Sequence, residues 1–243
     1  MTTPRTVLVT GSSRGIGRAI CQRLLRQGHV VLGAARDAEI PNVAGEYRPL
    51  SIDLSRMDQI DGSFKHFLND QPPLDAVVSN AGSPAFGNLE ELSSAQITDG
   101  LTRNLLSHMW VARTVLPLLK RRKQSDLLFI GSESSLQGGK RGSVYCAAKF
   151  GLRGFAQSLR QECASSHVRV TMIHPGMVRT SFFDQLDFAP GEGSDQAIEA
   201  EDIADAVEMV LGARSGTVFD EITVTPLKKV IRHKDGKEPK PGR

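Results

Sequence analysis

A chain of 243 residues, 40% hydrophobic and 23% charged, has the ordinary composition of a soluble globular protein and is long enough to bury the core of one large α/β domain. No apolar run reaches membrane-spanning length, and the N-terminal "MTTPRTVLVTG" turns strand-like too soon for a secretory signal. The formal net charge of +3 is uneven, because from Pro226 onward seven Lys/Arg face two acids, which leaves 23 basic against 25 acidic residues before it.

In chain order, short β-branched runs alternate with longer helical periods. "TVLVT" (6–10) reads as a buried strand and "GIGRAICQRLLRQ" as the helix that follows. Strands are predicted at 29–35 and, more weakly, at 47–53, then a helix near 56–69 and a strand at 74–79. One long helix is predicted over about 95–122, bent by the Gly100 and Pro117 inside it. A strand at 125–131, a helix at 144–164, a strand at 168–175, a helix near 200–211 and a strand at 219–225 complete the body. This alternation predicts a single-domain, Rossmann-type, doubly wound parallel sheet of about seven strands with helices on both faces. The domain is predicted to span 1–226, with 227–243 as a basic tail. Lacking an aromatic platform, the tail reads as solvated and partly disordered, not as an arm for nucleic acid or membrane lipid.

"TGSSRGIG" (10–17) lies between the first strand and the first helix. Gly11, Gly15 and Gly17 leave that turn free of Cβ atoms. A pyrophosphate can then approach the backbone, with Ser13, Arg14 and Ile16 beside it, and meet the positive end of the helix dipole. After the second strand, "GAARD" puts Ala35 where a carboxylate would grip a ribose 2′-hydroxyl, and Arg36 comes next. A guanidinium there accommodates a 2′-phosphate, and Arg14 can form the other side of the clamp. The reading favours NADP over NAD, although Asp37 remains available to a ribose. "SVYCAAKFG" (143–151) sets Tyr145 and Lys149 four apart, on one helical face. Spacing alone favours an ordinary amphipathic helix, with a snorkelling lysine and a half-buried tyrosine.

Together these stretches resemble the short-chain dehydrogenase/reductase family, over about 6–226. The loop matches its T-G-x-x-x-G-x-G, "SNAG" (79–82) its N-N-A-G with Ser79 replacing the first Asn, and "YCAAK" its Y-x-x-x-K. Ser132, thirteen residues before Tyr145, falls where the family keeps a substrate-binding serine, and "HPGMVRT" (174–180) resembles its P-G-x-V-x-T. The resemblance implies catalytic roles for Asn104, Ser132, Tyr145 and Lys149, with Asn104 also bending the long helix and holding a water for proton relay. It implies cofactor contacts at Asn80, Ala81 and Gly82, at Asp53 and Leu54, and at Pro175, Gly176, Val178 and Thr180, with Tyr145 and Lys149 also touching the cofactor. For Asp53 a helix N-cap is the competing role. The resemblance also implies a small-molecule carbonyl or alcohol substrate and a homo-oligomer, dimer or tetramer. The absence of a D-G-G element after the last strand leaves subunit packing without a sequence anchor.

The implied chemistry is physically coherent. A free tyrosine has a pKa of about 10, so ionising it near neutrality needs roughly three units, or ~4 kcal/mol. A lysine ammonium about 5 Å away supplies ~3 kcal/mol at an effective dielectric of about 20. Tyr145 is therefore expected to be the acid/base of an NADP-dependent carbonyl reductase or alcohol dehydrogenase. A non-catalytic NADP-binding regulator of the same fold is the alternative, against which a complete Ser, Tyr and Lys set argues. His174 is read as structural and Cys146 as a core filler. No His, Cys, Asp or Glu spacing predicts a metal. Three widely spaced cysteines, Cys21, Cys146 and Cys163, imply reduced thiols and a cytoplasmic setting. Phe182, Phe183, Leu186 and Phe188 are either an apolar lid over the substrate or core-facing residues of a short helix.

Overall fold

Aliphatic runs that showed no polar alternation became the central strands, because a parallel sheet is covered on both faces. In the computed structural model, which describes residues 3–38 and 44–234, β1 (Thr6–Thr10) is buried at every position. It is followed by α1 (Gly15–Arg26), β2 (Val30–Ala35), β3 (Tyr47–Ser51), α2 (Met57–Asn69) and β4 (Ala76–Ser79). Then come α3 (Ser94–Leu101), α4 (Ser107–Leu119), β5 (Ser125–Ile130), α5 (Ser143–Cys163) and β6 (Val168–Pro175). The chain continues through β7 (Phe188–Pro190), α6 (Ala200–Leu211), β8 (Glu221–Val224) and β9 (Ile231–His233).

Seven parallel strands lie in the order β3-β2-β1-β4-β5-β6-β8. Alternation along β1 divides the core. Val7 and Val9 face the layer of α1 and α6, with Ile20, Leu24, Ile203 and Val207, while Leu8 faces the layer of α2, α4 and α5, with Phe64, Val115 and Leu152. The winding direction reverses between β1 and β4, so the strand ends diverge there and open a crevice at their carboxyl edge.

Two expectations need correction. The long helix over 95–122 is not one bent α-helix: a π-helical segment, Thr102–Leu106, separates α3 from α4. Asn104 causes the break, its side-chain Nδ2 donating to the Gly100 carbonyl at 2.9 Å and so occupying an acceptor of the helical ladder. Pro117 lies inside α4, which runs on to Leu119. Nor is the chain beyond Pro226 without regular structure through Lys234: it is largely exposed, as a solvated tail would be, but β9 pairs antiparallel with β7. Positions 235–243 of the predicted tail lie outside the described residues.

Candidate active site

The loop after β1 is shaped by contacts that only glycine tolerates. Gly11 has φ +67°, and a Cβ on Gly17 would lie 2.1 Å from the Gly11 carbonyl oxygen and 2.7 Å from Asn80 Nδ2. Asn80, just beyond β4, donates from Nδ2 to the Thr10 carbonyl at 3.0 Å. The Thr10 hydroxyl in turn accepts from the backbone N–H of Asn80 and of Ala81, at 2.9 and 3.0 Å. The "SNAG" turn and the glycine loop are thus one hydrogen-bonded unit, with backbone atoms exposed to the crevice where a side chain would otherwise stand.

That crevice widens into a cleft of about 1250 Å³ lined by every predicted site residue except Gly17, which is packed beneath the loop. Arg14, just before α1, and Arg36, just after β2, both line it, and neither forms an ion pair with a carboxylate among the described residues. Asp53 also lines the cleft but is not a helix N-cap, the position before α2 being Arg56. Its Oδ1 instead accepts from the Ser55 N–H and hydroxyl at 2.9 and 2.8 Å, folding the turn back on itself. The donor set fits a phosphorylated dinucleotide: a Cβ-free cradle at the helix N-terminus and two guanidinium groups that pair with no carboxylate among the described residues.

At the other end α5 carries Tyr145 and Lys149, both buried, on one face. The Lys149 ammonium donates to the Ile130 carbonyl at 3.1 Å and lies 5.8 Å from the centre of the Tyr145 ring. Burial lowers the Lys149 ammonium to about 8. Burial also pushes the Tyr145 phenol up from its ordinary value, against a smaller opposing pull from the Ser132 hydroxyl. Burial opposes the expectation that the lysine brings the phenol toward ionisation: for these side chains on their own, desolvation is the largest influence on the phenol and favours its protonated form.

Ser132 follows β5, and its hydroxyl accepts from the Ser134 N–H at 3.1 Å, so it caps a turn while also lining the cleft. Ser135 is fully buried and does not line it. Asn104 is buried within the π segment, its Oδ1 accepting from the Ser83 N–H at 3.1 Å. Thr180 caps the turn that leads to Phe182. His174 is buried outside the cleft, with Nδ1 3.3 Å from the Ser132 carbonyl oxygen and Nε2 3.3 Å from Glu221. Cys146 is a buried free thiol. Among the described residues no three His, Cys, Asp or Glu lie close enough together to hold a metal ion.

The apolar residues after β6 close a circuit. Ring centroids are 5.0 Å apart for Phe86–Tyr145, 5.9 Å for Tyr145–Phe182, 5.2 Å for Phe182–Phe183, 5.8 Å for Phe183–Phe188 and 5.4 Å for Phe188–Phe86. The lid alternative is the better description of Phe182, Phe183 and Phe188, which line the cleft and are only half-buried. Sequence reasoning missed Phe86, an isolated aromatic in the Gly/Pro-rich stretch after β4. It also missed Lys229, Ile231 and His233, which line the cleft from within the supposed tail. Their alternate spacing was the available signal.

The sequence pattern of the short chain dehydrogenase family matches residues 5–189. A 3-oxoacyl-[acyl-carrier-protein] reductase, MabA, of Mycobacterium tuberculosis is 32% identical over 84% of this chain and 82% of its own. An NADP-dependent 3-hydroxy acid dehydrogenase of Schizosaccharomyces pombe is 28% identical over 91% of this chain and 92% of its own. Among solved structures, an alcohol dehydrogenase from the archaeon Thermococcus sibiricus, complexed with 5-hydroxy-NADP, superposes with a TM-score of 0.79. It is 26% identical, over 98% of this chain and 100% of the other. Sequence pattern, fold and relatives agree that this chain belongs to the short-chain dehydrogenase/reductase family and is an NAD(P)-dependent oxidoreductase.

Proposed function

We propose that the protein is an NADP-dependent carbonyl reductase or alcohol dehydrogenase acting on an apolar ketone or aldehyde, with Tyr145 as the acid/base. One observation carries the reading: the buried Tyr145 phenol lines the same cleft as the Cβ-free phosphate cradle, with Ser132 beside it. Bound NADPH supplies the hydride. The Ser132 hydroxyl hydrogen-bonds the substrate oxygen as charge gathers on it, and the Tyr145 phenol gives that oxygen its proton. Lys149 holds the nicotinamide ribose and lends positive charge to the phenol's surroundings, while Asn104, in the π segment, holds a water for proton relay. Asn80, Ala81, Gly82 and Leu54 border the adenosine; Pro175, Gly176, Val178 and Thr180 border the carboxamide. Arg14 and Arg36 clamp the 2′-phosphate, with Ala35 in place of a ribose-binding acid. The aromatic circuit around Tyr145 supports an apolar substrate, because a charged one would be desolvated there without a partner.

The test is turnover of ketones, aldehydes, quinones and β-keto thioesters with NADPH or NADH. The expected result is a preference for NADPH that Arg36→Ala removes, and a loss of roughly 100- to 10,000-fold in kcat for Tyr145→Phe. Tight NADPH binding without turnover across the panel would turn the reading toward a regulator, and no binding of either dinucleotide would overturn both.

A further inference from the structure

β9 and β7 form a two-stranded antiparallel sheet across the substrate end of the cleft, with Phe188 opposite His233, Ala189 opposite Arg232 and Pro190 opposite Ile231. Flanking bonds extend it: Gly191 N–H donates to the Val230 carbonyl at 3.1 Å and Lys234 N–H to the Asp187 carbonyl at 2.8 Å. Hydrogen-bonded pairs alternate along an antiparallel ladder, so Ala189 and Arg232 form the bonded pair between these two. Pro190, which has no N–H to give, sits at an unbonded position. Side chains tie the same strand to both sides of the cleft. The Lys234 ammonium donates to the Asp184 carbonyl at 3.0 Å, within the phenylalanine loop, and Lys229 pairs at 2.8 Å with Glu133, the neighbour of Ser132.

Period-two alternation turns Lys229, Ile231 and His233 into the cleft. Arg232, on the other face, pairs with Glu192. Ile231 is 51% exposed and Leu136, also on the cleft wall, 37% exposed. Both are large aliphatic surfaces beyond the aromatic circuit that none of the described residues covers. The family match ends at residue 189, so the strand that carries Lys229, Ile231 and His233 lies past the shared pattern.

We infer that the strand from Lys229 to His233 is the specificity wall of the substrate pocket. It holds the phenylalanine loop over Tyr145 through β7, and Ile231 with Leu136 receives an apolar group that the substrate carries away from its carbonyl. The preferred substrate is then a ketone with an extended apolar or aromatic arm rather than a short aliphatic carbonyl compound. This inference rests on the carbonyl-reductase reading of the cleft, and its two parts are separable from it.

The experiment uses two full-length variants. Arg232→Pro removes a ladder donor without altering a side chain that faces the cleft, and Ile231→Asp alters the wall. NADPH binding, read by fluorescence, checks that each variant is folded. Amide hydrogen exchange over residues 181–190 is read in parent and Arg232→Pro, without any substrate. Selectivity is read as the ratio of kcat/KM for a long-chain aryl ketone to that for a short aliphatic aldehyde. Arg232→Pro is expected to speed exchange in the loop by about tenfold or more. Ile231→Asp is expected to lower the selectivity ratio by about tenfold, through KM for the larger ketone. Unchanged loop protection in Arg232→Pro, or a ratio within about twofold of the parent in Ile231→Asp, overturns the inference. Should the parent bind NADPH but reduce neither compound, the carbonyl-reductase reading fails and the substrate arm falls with it, while the exchange result still decides whether the strand holds the loop.

Discussion

Tyr145 and Lys149 are both buried on one turn of α5, and burial acts on them in opposite senses. The phenol is held protonated, ready to give a proton to a reduced carbonyl oxygen. The ammonium is lowered from 10.5 to about 8, so charged Lys149 burdens the free protein. Below pH 8 the lysine is charged folded or unfolded, and its desolvation penalty of about 3 kcal/mol applies in full. Between about 8 and 10.5 the unfolded chain binds a proton that the folded chain does not, so stability rises with pH and the penalty shrinks. Chemical denaturation of parent and Lys149→Met should therefore show the variant more stable at neutral pH, with the gap narrowing toward pH 10. A gap that does not change with pH would refute this account. The identity of this pair was legible in the sequence from the turn-length spacing and its neighbours. The direction of the tyrosine shift was not, because a Coulomb estimate at a fixed separation omits the phenylalanine rings that exclude water.

Elements with strong periodicity were read well. α6 was expected near 200–211 and spans Ala200–Leu211, since its apolar positions recur on one face and no competing contact overrides them. The failures have local causes. The π segment depends on where one amide points: Asn104 can lie on a helix surface or turn inward to Gly100, and only packing against the "SNAG" turn makes the inward choice. β9 is three residues long within a run of lysines and arginines, so composition masked it. Its strand character comes from β7, some forty residues earlier, which was itself read only as a lid or a short helix. Edge pairings of this length have no intrinsic signal strong enough to stand without the partner.

Across the whole molecule, the two ends of the sheet do different work. The cleft lies at the carboxyl ends of the strands; at the amino ends Asp126 is fully buried between Arg169 at 2.7 Å and Arg5 at 2.6 Å. Arg169 also donates to the carbonyls of Ala213, Arg214 and Thr217, joining β5 and β6 to the turn after α6. Asp126→Ala would strand two buried or half-buried guanidinium groups and is expected to cost about 3–5 kcal/mol in urea unfolding. NADPH affinity of the folded fraction should be unaltered, because no cleft residue touches this network; a parallel loss of affinity would show that the two ends are coupled. The burial of Tyr145 has one more consequence, since the chain has only two tyrosines and the other, Tyr47, is also raised by burial, donating its hydroxyl proton to Ser12. The folded protein thus lacks a tyrosine of ordinary acidity. Its ultraviolet phenolate band should therefore be weaker at pH 10, where free tyrosine is half ionised, than that of the unfolded chain, and should grow as the chain unfolds, making the alkaline spectrum an intrinsic gauge of the native fraction.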